Sequence, residues 1–376
     1  MKARLAGSVL FTLLMVRTSC PAEDVMVYAD QHNWDHPDQV FVSDEELLFH
    51  VPASRFYRAS SYFFGGYLND GSTFVINIFH WTYSFLNNWG LKLQISEADG
   101  QTWSYEGKIP ANRIISMRDR FQISFEGGTI EGNSGEHHIL LNLDDFSCDL
   151  VIRNVLPPWK PGDGFVYFTR KRDAYIRTYV SSPLASVDGR LEVRGKRISA
   201  SGWCTATRSL TVLPLTGFDY DYFGFFLFGS ADPACPDPSA MMLHHYSATY
   251  RGKPLDIPLM LLIRDGGWVL TDKKYTLNPY EFVQEPGLPC PYPRRIRLYT
   301  ENRGYSLEGE FICMRIAHCT DFLKELPPFV RALLSLVYDR PVIFNMVGFF
   351  QGSLQTPEGE KLELNLTGIG TYSVFR

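Results

Sequence analysis

From about residue 60 onward, short runs rich in Val, Ile, Phe, Tyr and Thr are broken by turn signals, and the apolar positions recur in twos rather than in the 3.6-residue period of a helix. The turn signals are Asn69-Asp70-Gly71, Ala98-Asp99-Gly100, Glu126-Gly127-Gly128, Val187-Asp188-Gly189 and Arg264-Asp265-Gly266-Gly267. Such short connections join antiparallel strands, whereas a parallel sheet needs long helical crossovers that this pattern lacks. In residues 74–83, alternation puts Phe74, Ile76, Ile78, His80 and Thr82 on one face and Val75, Asn77, Phe79, Trp81 and Tyr83 on the other. Both faces are mainly apolar, so this strand is expected to be covered on both sides; residues 220–228 behave alike. One helix is expected, over residues 327–338, opened by Pro327-Pro328 and stopped at Asp339-Arg340-Pro341. It is apolar nearly all round, which predicts burial against a barrel.

A repeat runs through this pattern. Tyr62-Phe63-Phe64-Gly65-Gly66 resembles Tyr222-Phe223-Gly224-Phe225-Phe226, with Tyr222 standing 160 residues after Tyr62. Asp188-Gly189-Arg190-Leu191 followed by Ser201-Gly202-Trp203 resembles Gln351-Gly352-Ser353-Leu354 followed by Thr367-Gly368-Ile369, with Gly352 163 residues after Gly189. Two nearly equal offsets indicate duplication. Pro214 and Gly217 break the strand pattern between the copies, which gives units of 23–213 and 214–376. Each has the size of one eight- to ten-stranded barrel able to hold a small ligand.

The length of 376 residues agrees with two domains, since single cores stop growing near roughly 250 to 300 residues. Aromatic residues form 14% of the chain, which suits strands and concave apolar sites. The formal net charge of −5 and the scattered Lys and Arg leave no footprint for nucleic acid, which is not expected as a partner. At the N-terminus, Lys2 and Arg4 precede the apolar run 5–16 and the group Thr18-Ser19-Cys20, the layout of a signal peptide over 1–22. Export to the periplasm, envelope or outside is therefore expected. Cys20 is a lipidation candidate, although Arg17 occupies the place where a lipobox carries an aliphatic residue. The other cysteines, Cys148, Cys204, Cys235, Cys290, Cys313 and Cys319, permit disulfides or buried thiols alike.

Signals for catalysis are weak. The pairs His137-His138 and His244-His245 point to opposite faces of any strand they occupy, so neither pair can chelate one ion, and turn or surface positions are expected. Neither a nucleophile elbow, nor a P-loop, nor a dinucleotide fingerprint occurs. No catalytic residue, metal or cofactor is called. The segment 32–38 is polar and turn-like, a rim loop or a linker.

Ser61-Tyr62-Phe63-Phe64, the Gly189 hairpin leading to Ser201-Gly202-Trp203-Cys204-Thr205, and Tyr222-Phe223 resemble the double-lipocalin group of fungal survival-factor proteins, AttH-like exported bacterial proteins, carotenoid hydratases and fungal Diels-Alderases. The likeness implies an apolar or lipid-like ligand held in or between two calyces. Several bacterial members carry an acid and a histidine where this chain has Cys204-Thr205-Ala206-Thr207, so the acid-base role is not carried over. The expected fold is all-β: two tandem lipocalin-like antiparallel β-barrels with a short helix in the C-terminal domain. The function placed first is an exported carrier of an apolar small molecule or lipid, with contact to a membrane surface as a further expectation. An enzyme of the hydratase or cyclase type acting on isoprenoid or polyene substrates is placed second, and a carbohydrate-binding module third. Expected ligand-lining residues are Phe79, Trp81, Tyr83, Tyr222, Phe223 and Phe225; two well-packed cores meeting face to face would explain the same strands.

Overall fold

The computed structural model describes residues 25–49, 57–83, 86–117, 119–213, 218–229, 238–250, 252–321 and 342–375. The proposed signal segment with Cys20, the 327–338 helix and Cys235 lie outside these residues, as does the Tyr83 side chain. Two antiparallel sheets hold the strands, one formed before residue 214 and one after residue 217. In the first, the opening strand Tyr57–Leu68 lies between Thr73–Tyr83 and the closing strand Gly202–Leu213. In the second, Phe218–Phe228 lies between Ala240–Tyr250 and the closing strand Lys361–Phe375. The halves thus share one feature of topology, in which the opening barrel strand of each pairs with its closing strand.

The repeated motifs occupy matching places in that topology. Tyr62 and Tyr222 sit on the opening strands, Gly189 and Gly352 on the long strands Tyr175–Val193 and Val342–Gln355, and Gly202 and Gly368 on the closing strands. A Cβ at Gly202 would lie 2.2 Å from the carbonyl oxygen of Tyr67, and one at Gly368 would lie 2.1 Å from that of Phe226. The closing strand approaches the opening strand too closely for any side chain, so both copies keep glycine for the same steric reason.

Four of the five turn signals fall between strands. The fifth does not: Val187-Asp188-Gly189 lies inside Tyr175–Val193, and the chain reverses instead at Arg194-Gly195. Gly189 is required there because a Cβ would meet the Asp149 carbonyl oxygen at 2.0 Å. Alternation in Thr73–Tyr83 is as expected, with Phe74, Ile76 and Ile78 fully buried in the first barrel. That sheet curls until Trp103, on its edge strand Thr102–Ile109, stacks on Phe146 at 5.1 Å.

Three apolar cores result. One fills each barrel, and the third lies between them, where Phe63 stacks on Phe226 at 4.7 Å and Trp34 packs edge-on to Trp159 at 5.4 Å. Segment 32–38 is therefore neither a linker nor a rim loop. It contains the short helix His32–Asp35, whose Trp34 is buried in the inter-barrel core and whose Trp34 carbonyl accepts a hydrogen bond from the Thr271 hydroxyl of the second barrel. A buried tryptophan outweighs the polar character of its neighbours. Lys92 to Thr320 and Asn345 to Gln94 add polar links across the same boundary. Cys148, Cys204 and Cys313 are buried thiols.

Candidate functional site

The second barrel contains a cavity of about 410 Å³, within the range of small-ligand pockets. Its floor is aromatic: Phe223 from the opening strand and Tyr372 from the closing strand stack at 5.0 Å. Leu277, Pro279 and Phe282, from the strand Thr276–Val283, form one wall, and Cys290, Pro291 and Val374 complete the apolar lining. Phe282 is 54% exposed, which marks it as a rim residue.

Into this lining project Asp221, His245 and Ser247. The register pairs Phe223 with His245 and Asp221 with Ser247 on neighbouring strands. Residues opposite each other share a face, so Asp221 and His245 are diagonal neighbours, with backbones about 7 to 8 Å apart. The imidazole Nε2 of His245 is 3.6 Å from Oδ1 of Asp256, and its buried Nδ1 has no hydrogen-bond partner. Burial lowers the pKa of His245, an effect that the Asp256 carboxylate opposes. A mainly neutral imidazole with one free nitrogen, backed by a carboxylate, is equipped to accept a proton and to be held in place while charged. Tyr275 packs its ring 5.5 Å from that of His245, and its hydroxyl donates to the carbonyl of His244 while accepting from the Leu259 N–H.

The structure divides the six residues expected at the ligand site. Phe223 lines the cavity, and Phe225 lies in the second-barrel core against Phe311 at 4.4 Å. Tyr222, on the opposite face of its strand, hydrogen-bonds to Nδ1 of His244 at 2.6 Å on the inter-barrel side. Phe79 and Trp81 lie on the face of Thr73–Tyr83 away from the first-barrel core, the Phe79 ring over Gly90 and Trp81 beside Tyr57. They are thus not gathered round one space with Phe223.

The expectation that the paired histidines occupy turns or surfaces is corrected. His137 and His245 lie within strands and are 1% and 8% exposed, because each falls on the inward phase of its strand beside residues such as Ile139 and Leu243. Asp221 and His245 were missed for the same reason. Their signal was a titratable residue on the same alternation phase as Phe223 and Phe225, or as Met241 and Leu243.

No protein family and no characterised protein matches the chain at the level of sequence. Solved structures do. An AttH-type protein from Nitrosomonas europaea superposes with a TM-score of 0.61 at 14% identity, covering 88% of this chain and 98% of that one. CghA gives 0.57 at 12% identity, covering 94% and 99%. Kievitone hydratase from Nectria haematococca gives 0.54 at 11% identity, covering 93% and 97%. These likenesses overturn the ordering that placed a carrier first and made an enzyme the less favoured reading. The same fold serves a hydratase, and the cavity holds an acid and a base rather than an apolar lining alone. A recessed aromatic floor is likewise unlike the flat platform of a sugar-binding surface. In fold the chain is similar to these three proteins, and its two tandem barrels cover 97% to 99% of their lengths.

Proposed function

We propose that the protein is an enzyme of the hydratase or cyclase type acting on an apolar, unsaturated small molecule such as an isoprenoid or polyene. The observation that carries this reading is the presence of Asp221 and His245 together in the lining of a mainly apolar cavity with an aromatic floor. Asp221 serves as the general acid and gives a proton to one carbon of a double bond; the π electrons form the new C–H bond and leave a carbocation at the other carbon. The faces of Phe223 and Tyr372 stabilise that cation through their ring quadrupoles. His245 then takes a proton, either from a water whose oxygen adds to the cation or from a neighbouring carbon as a ring or new double bond forms. Asp256 stabilises the imidazolium, and exchange with solvent returns the proton to Asp221. A hydratase on the same fold supports the reaction class.

The test is a panel of linear isoprenoids and short polyenes, read by mass spectrometry for gain of water or for an isomer of unchanged mass. Asp221→Asn and His245→Gln should each lower turnover by about 100-fold to 10,000-fold with unchanged far-UV circular dichroism. Full activity in both variants would remove the proposal. We also propose that the enzyme acts outside the cytoplasm, on the strength of residues 1–22 alone; N-terminal sequencing of protein recovered from the medium or envelope should show that segment removed.

A further inference from the structure

The first barrel holds a buried cation that has no counter-charge among the described residues. Arg208, on the closing strand Gly202–Leu213, has no exposed surface and stands in register with Tyr62 on one side and Tyr179 on the other. Its Nη1 donates to the backbone carbonyl of Glu46 at 3.1 Å, while Nε and Nη2 have no partner among the described residues. Of the three carboxylates on the adjoining helix Asp44–Leu47, Glu45 is exposed to solvent and the other two are already engaged. Glu46 accepts from the Ser43 N–H through Oε2, and from Lys160, Arg177 and the Tyr179 hydroxyl through Oε1, at 3.0 to 3.3 Å. Asp44 accepts from the Ser134 N–H at 2.7 Å. Burial pulls the Arg208 guanidinium down to about 10, so it stays charged at neutral pH.

The free atoms are informative in their placing. Nε and Nη2 form the side edge of the guanidinium, two parallel donors whose spacing matches the two oxygens of a carboxylate. Further buried polar atoms of the same sheet are also unpartnered among the described residues. Ser60 Oγ belongs to a residue on the same strand face as Tyr62, and Ser182 Oγ to one in register with Ala206, two residues from Arg208. His137 Nδ1 lacks a partner while Nε2 of the same ring meets the Tyr62 hydroxyl at 2.8 Å. Buried polar groups are nearly always satisfied, and an unpaired buried charge is among the costliest exceptions. The two free donors of Arg208 therefore mark a place where an acceptor is missing. One unmatched positive charge calls for a monoanion; a phosphate dianion would exceed it.

We propose that the first barrel binds the carboxylate of a small acid on the Nε–Nη2 edge of Arg208, at a site separate from the cavity of the second barrel. Titration calorimetry and thermal unfolding of the full chain with octanoate, acetate, octanol and inorganic phosphate test this, alongside Arg208→Met and Arg208→Lys. Octanoate should raise the unfolding midpoint of the unaltered protein, octanol should not, and both variants should bind octanoate about 10-fold or more weakly, lysine included because it lacks the paired edge. Near-UV circular dichroism shows that the variants remain folded. A preference for octanoate over acetate assigns the site to the head of an apolar acid, and equal responses assign it to a free carboxylate anion. Silence toward both carboxylates, a response to phosphate alone, or unchanged octanoate binding in Arg208→Met would overturn the proposal.

Discussion

Acid should unfold this protein in part through one histidine. His137 is 1% exposed, and burial lowers its pKa from 6.5 to about 4. In the unfolded chain the imidazole charges near its ordinary value, whereas in the fold it resists charging. The stability it confers is therefore fully present above about pH 6.5 and drains away as pH falls toward 4. A shift of about 2.5 pKa units corresponds to about 3.4 kcal/mol at the limit, of which about 2.6 kcal/mol is lost by about pH 4.5. His137→Gln removes the titration while leaving a side chain able to hydrogen-bond the Tyr62 hydroxyl. Urea unfolding of both proteins at about pH 7.5 and about pH 4.5 isolates the term, because His244, also lowered to about 4 by burial, contributes equally to each and cancels in the difference. The unaltered protein should lose about 2 to 3 kcal/mol more than the variant between the two pH values. Equal losses would show that His137 does not resist protonation in the fold, and the burial argument would fail with it.

Two further outcomes test the packing. Gly368→Ala should cost more than about 3 kcal/mol by chemical denaturation, since its Cβ would sit 2.1 Å from the Phe226 carbonyl oxygen, whereas Gly252→Ala, at φ +80° with nothing within 4 Å, should cost about 1 kcal/mol. Across the inter-barrel boundary, Asn345 donates to Gln94 at 3.0 Å with both residues buried, so Gln94→Leu alone should destabilise by about 1 to 3 kcal/mol; adding Asn345→Leu should recover part of that loss, and strictly additive losses would show that the two are uncoupled.

Much of the architecture was legible because its causes are local. Strand alternation depends only on the two-residue period of an extended backbone, so the faces of Thr73–Tyr83 could be read from the chain. Four turns were marked by Gly and Asp for the same reason. Val187-Asp188-Gly189 misled because a glycine demanded by close approach to a neighbouring strand looks, in sequence, like one demanded by a turn. Segment 32–38 misled because its mostly polar composition concealed Trp34, whose burial is decided by a surface formed from both barrels.

By itself the sequence established an all-β chain, its duplication, and the rule that His137 and His138, or His244 and His245, must face opposite ways. It could not say which member of each pair faces inward. That depends on how each strand is phased against partners far away in the chain, and the tertiary structure turns His245 into the lining of the second-barrel cavity, His244 toward Tyr222 between the barrels, and His137 toward Tyr62 inside the first. Arg208 follows the same logic. Its neighbours in sequence are ordinary strand residues, and only the pairing of the opening strand Tyr57–Leu68 with the closing strand leaves its charge buried and without a partner among the described residues.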